Sequence, residues 1–366
     1  MGLEAGNSSY QPDELVVDQL HLDAVMDLLR GLGIGPAATI GCDHDDGLGL
    51  ARLRGLHAGD VVLDVGDVLS LVRQRAAAER DGWTPTIGLN RMVDAVIGIE
   101  SHKPMAGSLP MPVGPHRAPG PVGGVDDGRN VRVGVVDTLA ATTGSQPYRS
   151  GHALFVQSLI HRYAPAAHIE FEGVLDPEIG RATSWDTAQA MVRLATGEQE
   201  LHVLNLSFGC FTAGGGPPLV IARAVERIAA KGVLIIAAAG NHGAADGLIN
   251  GRNHDSACWP AAIPPVVAVG ADDSHGVKAP WSPARPWVTC QAPGVDLIGD
   301  YLQGDVQVDT DLVPFTGHAR WSGTSFAAAV VSGMVAAATV PGEHTAADAL
   351  KDLLAKPSPV HPYVHR

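Results

Sequence analysis

Between Val131 and Lys356 the chain alternates two apolar patterns. Short continuous runs, VRVGVVD, HIEFEGVL, LHVLNLSFG, GVLIIAAAG and PVVAVGA, are rich in Val, Ile and Leu. Runs of that length and content predict strands buried on both faces. Between them, HALFVQSLIHRYA, TSWDTAQAMVRLATG and PPLVIARAVERIAAKG carry apolar residues at helical spacing. The alternation predicts an α/β fold with a doubly wound, mostly parallel sheet. One further run, RWSGTSFAAAVVSGMVAAATV from Arg320 to Val340, is apolar on every side. It predicts a deeply buried helix, with Ser322 and Thr324 as hydroxyl caps at its start and Ser325 in its first turn.

The segment from about Asp13 to Glu100 reads differently. ELVVDQ is a strand pattern, LDAVMDLLRGLG a helix with a Gly stop, and GLGLARLRGL a strand. VLDVGDVLSLVRQRAAAERDG is again helical, and TPTIGLNRMVDAVIGIE closes with an apolar run. That order suits a small two-layer α/β sandwich. Between the two parts, Ser101 to Asn130 is dense in Pro and Gly. Such a segment cannot sustain a helix or a central strand and reads as a linker. The expected organisation is a tail over 1–12, the N-terminal domain over 13–100, the linker over 101–130, the α/β domain over 131–356 and a tail over 357–366.

Composition narrows the function classes. The chain is 45% hydrophobic and carries a formal net charge of −14. A balance so acidic argues against nucleic acid and against an anionic membrane surface as partners. The first residues have no basic n-region and no apolar h-region, so the expected location is cytoplasmic, or secreted if a leader precedes them. Cys42, Cys210, Cys258 and Cys290 form no CxxC pair, so zinc is not expected and the default is free thiols. CDHDDG misses the spacing of a calcium loop and reads as a solvated turn. GLGIG and GGVDDG lack the context of a phosphate loop.

Ligands of such sheets bind beyond the carboxyl ends of the strands. Asp137 ends VGVVD there, a carboxylate whose burial is costly unless it is paired. His152 opens the next helix, and Ser325 opens the late buried one. A hydroxyl becomes a useful nucleophile when a base takes its proton, and an imidazole oriented by a buried Asp is such a base. Each residue alone has an ordinary reading as a turn former, a surface His or a helix cap. The chain order Asp, His, Ser matches one known triad order and excludes two others.

The region from about Val131 to Val340 resembles a subtilisin-like serine protease. VGVVDT resembles the Asp motif of that family, GHALFVQSLI its His motif, and GTSFAAA its Ser motif. IIAAAGNHG resembles the strand that ends in the oxyanion Asn, here Asn241. The resemblance implies a serine endopeptidase acting on protein or peptide substrates. It implies Asp137, His152 and Ser325 as catalytic residues and Asn241 as oxyanion donor. Ser207, Phe208 and Gly209 would pair with the substrate backbone. Gly209, Ala238, Ala239 and Gly240 would line an apolar pocket for the side chain before the scissile bond, with Trp259 narrowing its floor and Asp246 or Asp255 at its rim. A catalytically silent scaffold on the same fold is the alternative. Three departures stand out: Ala153 and Leu154 replace the family's Gly-Thr, Leu139 replaces a Gly, and His152 follows Asp137 by only 15 positions. No cofactor is expected; the resemblance leaves calcium possible, but no site is assignable and none is carried over. The resemblance also implies that the N-terminal domain packs on the protease domain as a prodomain, the alternative being a permanent accessory or targeting domain. The Pro/Gly-rich segment Ser101 to Asn130 is the expected place of autocleavage, since flexible segments of this kind are typical nicking sites. In the mycosin branch, cysteines placed like Cys210 and Cys258 are bridged.

Overall fold

The structure, a computed structural model, describes residues 10–35, 40–58, 61–95, 109–114, 120–140, 146–212, 215–244 and 253–355. Its N-terminal unit runs β1 (Tyr10–Asp18), α1 (Leu22–Gly31), β2 (Gly41–Asp45), β3 (Leu50–Arg54), the ribbon β4 (His57–Ala58) and β5 (Val61–Val62), α2 (Val65–Glu79) and β6 (Ile87–Ala95). Its antiparallel sheet has the order β6-β1-β3-β2. CDHDDG is therefore not simply a turn. Its first residues form β2, held across the hairpin where Arg52 and Arg54 meet Asp43 at 2.9 and 2.8 Å. Only the Asp46–Gly47 end turns.

Successive strand residues face opposite sides of a sheet, and β1 uses both. Leu15 and Val17 pack with α1 and α2, while Val16 joins a second cluster with residues of the C-terminal unit. All three are fully buried. The unbroken apolar run LVV is thus the mark of a sheet covered on two sides.

After β7 (Met111–Pro112) comes the C-terminal unit. It runs β8 (Arg132–Thr138), β9 (Gln146–Pro147), α3 (His152–Tyr163), β10 (His168–Leu175), β11 (Arg181–Thr183), α4 (Ser184–Thr196), β12 (Val203–Leu206), β13 (Phe208–Gly209), α5 (Leu219–Ala229), β14 (Leu234–Ala238), β15 (Val267–Asp272), β16 (Cys290–Pro293), β17 (Leu297–Val308), β18 (Asp311–Trp321), α6 (Thr324–Ala338) and α7 (Ala346–Ala355). Six strands form a parallel sheet in the order β10-β8-β12-β14-β15-β16. Four of the five apolar runs form its interior strands β8, β12, β14 and β15. The fifth, HIEFEGVL, forms the edge strand β10, where only Leu175 is buried, because an edge strand with alternating polar residues is covered on fewer sides. Helix α6 is buried along nearly its whole length.

The long hairpin β17–β18 was not evident from the hydrophobic pattern. Its buried apolar residues are Tyr301, Val306, Val308, Phe315, Ala319 and Trp321, and polar residues, glycines and partly or fully exposed apolar residues such as Leu302 and Leu312 interrupt them. Part of the Pro/Gly-rich linker adds to it as a short edge strand: β7 pairs antiparallel with β18. Residues 101–108 and 115–119, where much of the expected autocleavage region falls, lie outside the described residues. Among the described residues no helix is long and apolar enough to cross a membrane.

The two units share a seam. On its outer face the N-terminal sheet meets α4 and α5, and Leu48, Leu50 and Val93 join one apolar cluster with Trp185, Ala188, Ile221 and Ala224. Polar contacts are built into it. Arg223 donates to Asp18 Oδ2 at 2.7 Å and to the Leu48 carbonyl at 3.1 Å. Fully buried Asn90 of β6 accepts through Oδ1 from Ser184 Oγ and from the Trp185 N–H, both at 3.0 Å. A residue of one unit thereby satisfies an orphan N–H at the start of a helix in the other.

Candidate active site

Asp137 is the penultimate residue of β8, between β10 and β12, and is fully buried. Its Oδ1 accepts the Thr138 N–H at 2.6 Å and lies 2.7 Å from His152 Nδ1. His152 is the first residue of α3 and is also fully buried. Its ring meets Trp321 edge-on at 5.5 Å and Phe326 at 5.3 Å between centroids. An ionised carboxylate only accepts, so the contact puts the imidazole proton on Nδ1 and leaves Nε2 with its lone pair. Nε2 has no hydrogen-bond partner among the described residues.

Ser325 is the second residue of α6 and is fully buried. Its Oγ donates to the Ser207 carbonyl at 3.3 Å. The structure thus joins Asp137 to His152 and brings Ser325 close through its neighbour Phe326. It does not hydrogen-bond Ser325 Oγ to Nε2. The expected hydroxyl caps are corrected too. The cap residue of α6 is Gly323, with no side-chain cap bond. Ser322 Oγ instead accepts the Asp296 N–H at 2.8 Å, and Thr324 Oγ1 accepts the Gly240 N–H at 3.0 Å.

Asn241 follows the end of β14. Its Oδ1 accepts from the Thr324 N–H at 3.0 Å and from Thr324 Oγ1 at 3.1 Å. That fixes the amide so that Nδ2 lies beside Gly323, at the start of α6. Gly240 turns the chain at φ +98°, a left-handed conformation that favours glycine.

Ser207, Phe208, Ala238 and Ala239 are fully buried, and Gly209 and Gly240 are buried as well. Sequence reasoning missed the polar chain beneath them. Ser332 Oγ donates to Asn205 Oδ1, Asn205 Nδ2 to Ser207 Oγ, each at 3.0 Å, and Ser207 Oγ to the Ser325 carbonyl at 3.3 Å. It locks α6 in register with β12. The signal was a polar residue, Asn205, inside an otherwise apolar strand.

The strand Phe208–Gly209 has a partner. β6 runs antiparallel to it, with Ala95 opposite Phe208 and Asp94 opposite Gly209. On its other edge β6 pairs antiparallel with β11. The last strand of the N-terminal unit therefore lies between β11 and β13, and β13 directly follows Ser207, whose carbonyl accepts from Ser325 Oγ.

Of the expected rim acids, Asp246 lies outside the described residues. Asp255 does not point inward: it is exposed and ion-paired with Arg285. Trp259 Nε1 donates to Thr212 Oγ1 at 3.1 Å. Cys210 and Cys258 are buried and carry no disulfide, unlike the bridge the mycosin resemblance implies. Among the described residues no group of His, Cys, Asp and Glu could hold a metal ion.

The model of the subtilase family matches residues 139–357, beginning just after Asp137. The chain belongs to the subtilase family. This subtilase is 30% identical to subtilisin BL of Lederbergia lenta over 173 residues, 47% of this chain and 54% of that protein. It is 27% identical to subtilisin DY of Bacillus licheniformis over 232 residues, 57% of this chain and 76% of that one. The match to the first of these spans about half of its length. Among solved structures, fervidolysin from Fervidobacterium pennivorans, described as a keratinolytic enzyme related to subtilisin, superposes with a TM-score of 0.60 at 17% identity. That superposition covers 92% of this chain and 55% of fervidolysin, and it establishes a shared fold.

Proposed function

We propose that this subtilase is a serine endopeptidase and that Asp137, His152 and Ser325 carry its chemistry. Ser325 Oγ rotates off the Ser207 carbonyl and attacks the scissile carbonyl carbon. His152 Nε2 takes its proton, and Asp137 stabilises the imidazolium that forms. The oxyanion is met by Asn241 Nδ2 and by a backbone N–H at the start of α6. His152 then protonates the leaving amine, and a water, deprotonated at Nε2, hydrolyses the acyl-enzyme. One observation carries the reading: a fully buried imidazole is held at Nδ1 by a fully buried carboxylate while Nε2 has no partner among the described residues. A purely structural His would leave that atom unsatisfied at a cost, whereas a general base needs it.

We further propose that the N-terminal domain is a prodomain that keeps the cleft filled, because β6 pairs along β13 as a substrate strand would. The small residues Gly209, Ala238, Ala239 and Gly240 support a preference for an apolar side chain before the scissile bond. The test is hydrolysis of an unfolded protein by the full chain and by a full chain loosened with Asn90→Ala. Each is compared with the same chain carrying Ser325→Ala. Cleavage that vanishes with Ser325→Ala is the expected result. No cleavage by either parent chain overturns the reading.

A further inference from the structure

We propose that Arg181 selects an acidic side chain at the third substrate position before the scissile bond. The proposal rests on the endopeptidase reading and on β6 as a stand-in for bound substrate.

The register fixes the position. Ser325 Oγ contacts the carbonyl of Ser207. A substrate residue opposite Ser207 thus has its own carbonyl nearest the nucleophile, and the bond to be cut follows that residue. The ladder is antiparallel, so the residue opposite Phe208 is one place earlier and the residue opposite Gly209 is two places earlier. In β6 that last position is Asp94. Its neighbour Ala95 donates its N–H to the Gly180 carbonyl at 2.8 Å, so both edges of the strand are engaged.

Asp94 is flanked asymmetrically. On the β13 side stands Gly209, which has no side chain to meet it. On the β11 side Arg181 is its direct register partner, and Arg181 Nε donates to Asp94 Oδ1 at 2.6 Å. The side chains are 25% and 38% exposed. Arg181 forms no other ion pair among the described residues. Its backbone is held as well, since its carbonyl accepts the Asp176 N–H at 2.8 Å. Arg181 belongs to the C-terminal unit, so it stays when β6 leaves. An incoming peptide with Asp or Glu at this position recovers the contact. One with Lys or Arg meets a like charge directly across the ladder, which is unfavourable. A half-exposed pair of this kind supports a preference of about two- to fivefold.

The experiment uses the full chain with Asp94→Ala, which removes the internal occupant's charge. Three fluorogenic peptides differ only at the third position before the cleaved bond, with Asp, Asn or Lys. The expected order of kcat/KM is Asp above Asn above Lys, about threefold from first to last. Adding Arg181→Glu reverses that order, while Arg181→Lys keeps it. Equal kcat/KM on all three peptides, with cleavage intact, overturns the proposal and leaves the protease reading standing. Labelling of Ser325 by a fluorophosphonate without cleavage of any of the peptides also overturns it, because a carboxylate there then makes no substrate. Neither labelling nor cleavage overturns the protease reading itself.

Discussion

His152 Nδ1 lies 2.7 Å from Asp137 Oδ1, and both side chains are fully buried. No solvent competes for either group, so the carboxylate alone sets the tautomer. Asp137→Asn replaces a pure acceptor with an amide that can present a donor to the same atom. The proton then favours Nε2, where a base needs the lone pair. The expected outcome is a fall in kcat of about 10⁴-fold with an unchanged fold. Peptide turnover measured beside circular dichroism checks it; near-normal kcat would remove Asp137 from the mechanism.

Gly151 precedes His152, and a Cβ there would stand 2.3 Å from Tyr301 Cε2. Tyr301 cannot easily move, because it is buried and its hydroxyl donates to the Tyr148 carbonyl at 2.6 Å. Gly151→Ala is therefore expected to cost about 1–3 kcal/mol of stability and to displace the start of α3. Denaturant unfolding checks the first effect and peptide turnover the second. The double variant with Tyr301→Ala relieves the clash, so turnover rises relative to Gly151→Ala alone.

The seam between the two units is expected to weaken in acid through Asp18. Burial would push the Asp18 carboxyl up, but hydrogen bonds from Arg223 and from the Leu20 N–H outweigh it and hold the group below its ordinary value of 3.8. A depressed native pKa contributes stability that is complete above the unfolded value. It is lost as pH falls through the native one. Docking of the N-terminal unit should thus be constant from neutrality down to about pH 4 and weaken below it. Asp18→Asn should weaken docking at pH 7 and flatten that acid limb. Limited proteolysis across pH measures both, and identical profiles for the two proteins would contradict the assignment.

The thiols should separate by environment. Burial pushes the Cys210 thiol far above its ordinary range and the Cys290 thiol up to about 12. The thiolate is the reactive form. Iodoacetamide at pH 8 is expected to modify Cys42, which is exposed, and to spare Cys210, Cys258 and Cys290 until the protein is unfolded. Peptide mapping under non-reducing conditions decides it; a Cys210–Cys258 bridged peptide would show that the mycosin resemblance extends to these residues.

Much of this fold could be read from local pattern. The four interior parallel strands are continuous apolar runs, whereas the edge strands β10 and β16 are mixed, and LVV in β1 marks a sheet covered on both faces. Asp137, His152 and Ser325 attract attention because each is polar where its element is apolar. What escaped has a common cause. Trp321, which walls His152, sits on a hairpin whose pattern is half polar. In the chain Ser332–Asn205–Ser207–Ser325, Asn205 and Ser332 are 127 positions apart. Asp94 and Arg181 are 87 positions apart. Pairs so distant are set by how elements pack, and no local period records them.

The most direct measurement of the central claim is active-site labelling with a fluorophosphonate, read by intact mass and peptide mapping of the full chain loosened with Asn90→Ala. The expected result is one phosphonyl group per chain on Ser325, formed rapidly with His152 present and lost in His152→Ala and Ser325→Ala. Absence of the adduct, or an adduct at Ser325 that forms equally fast in His152→Ala, would contradict a serine nucleophile activated by His152.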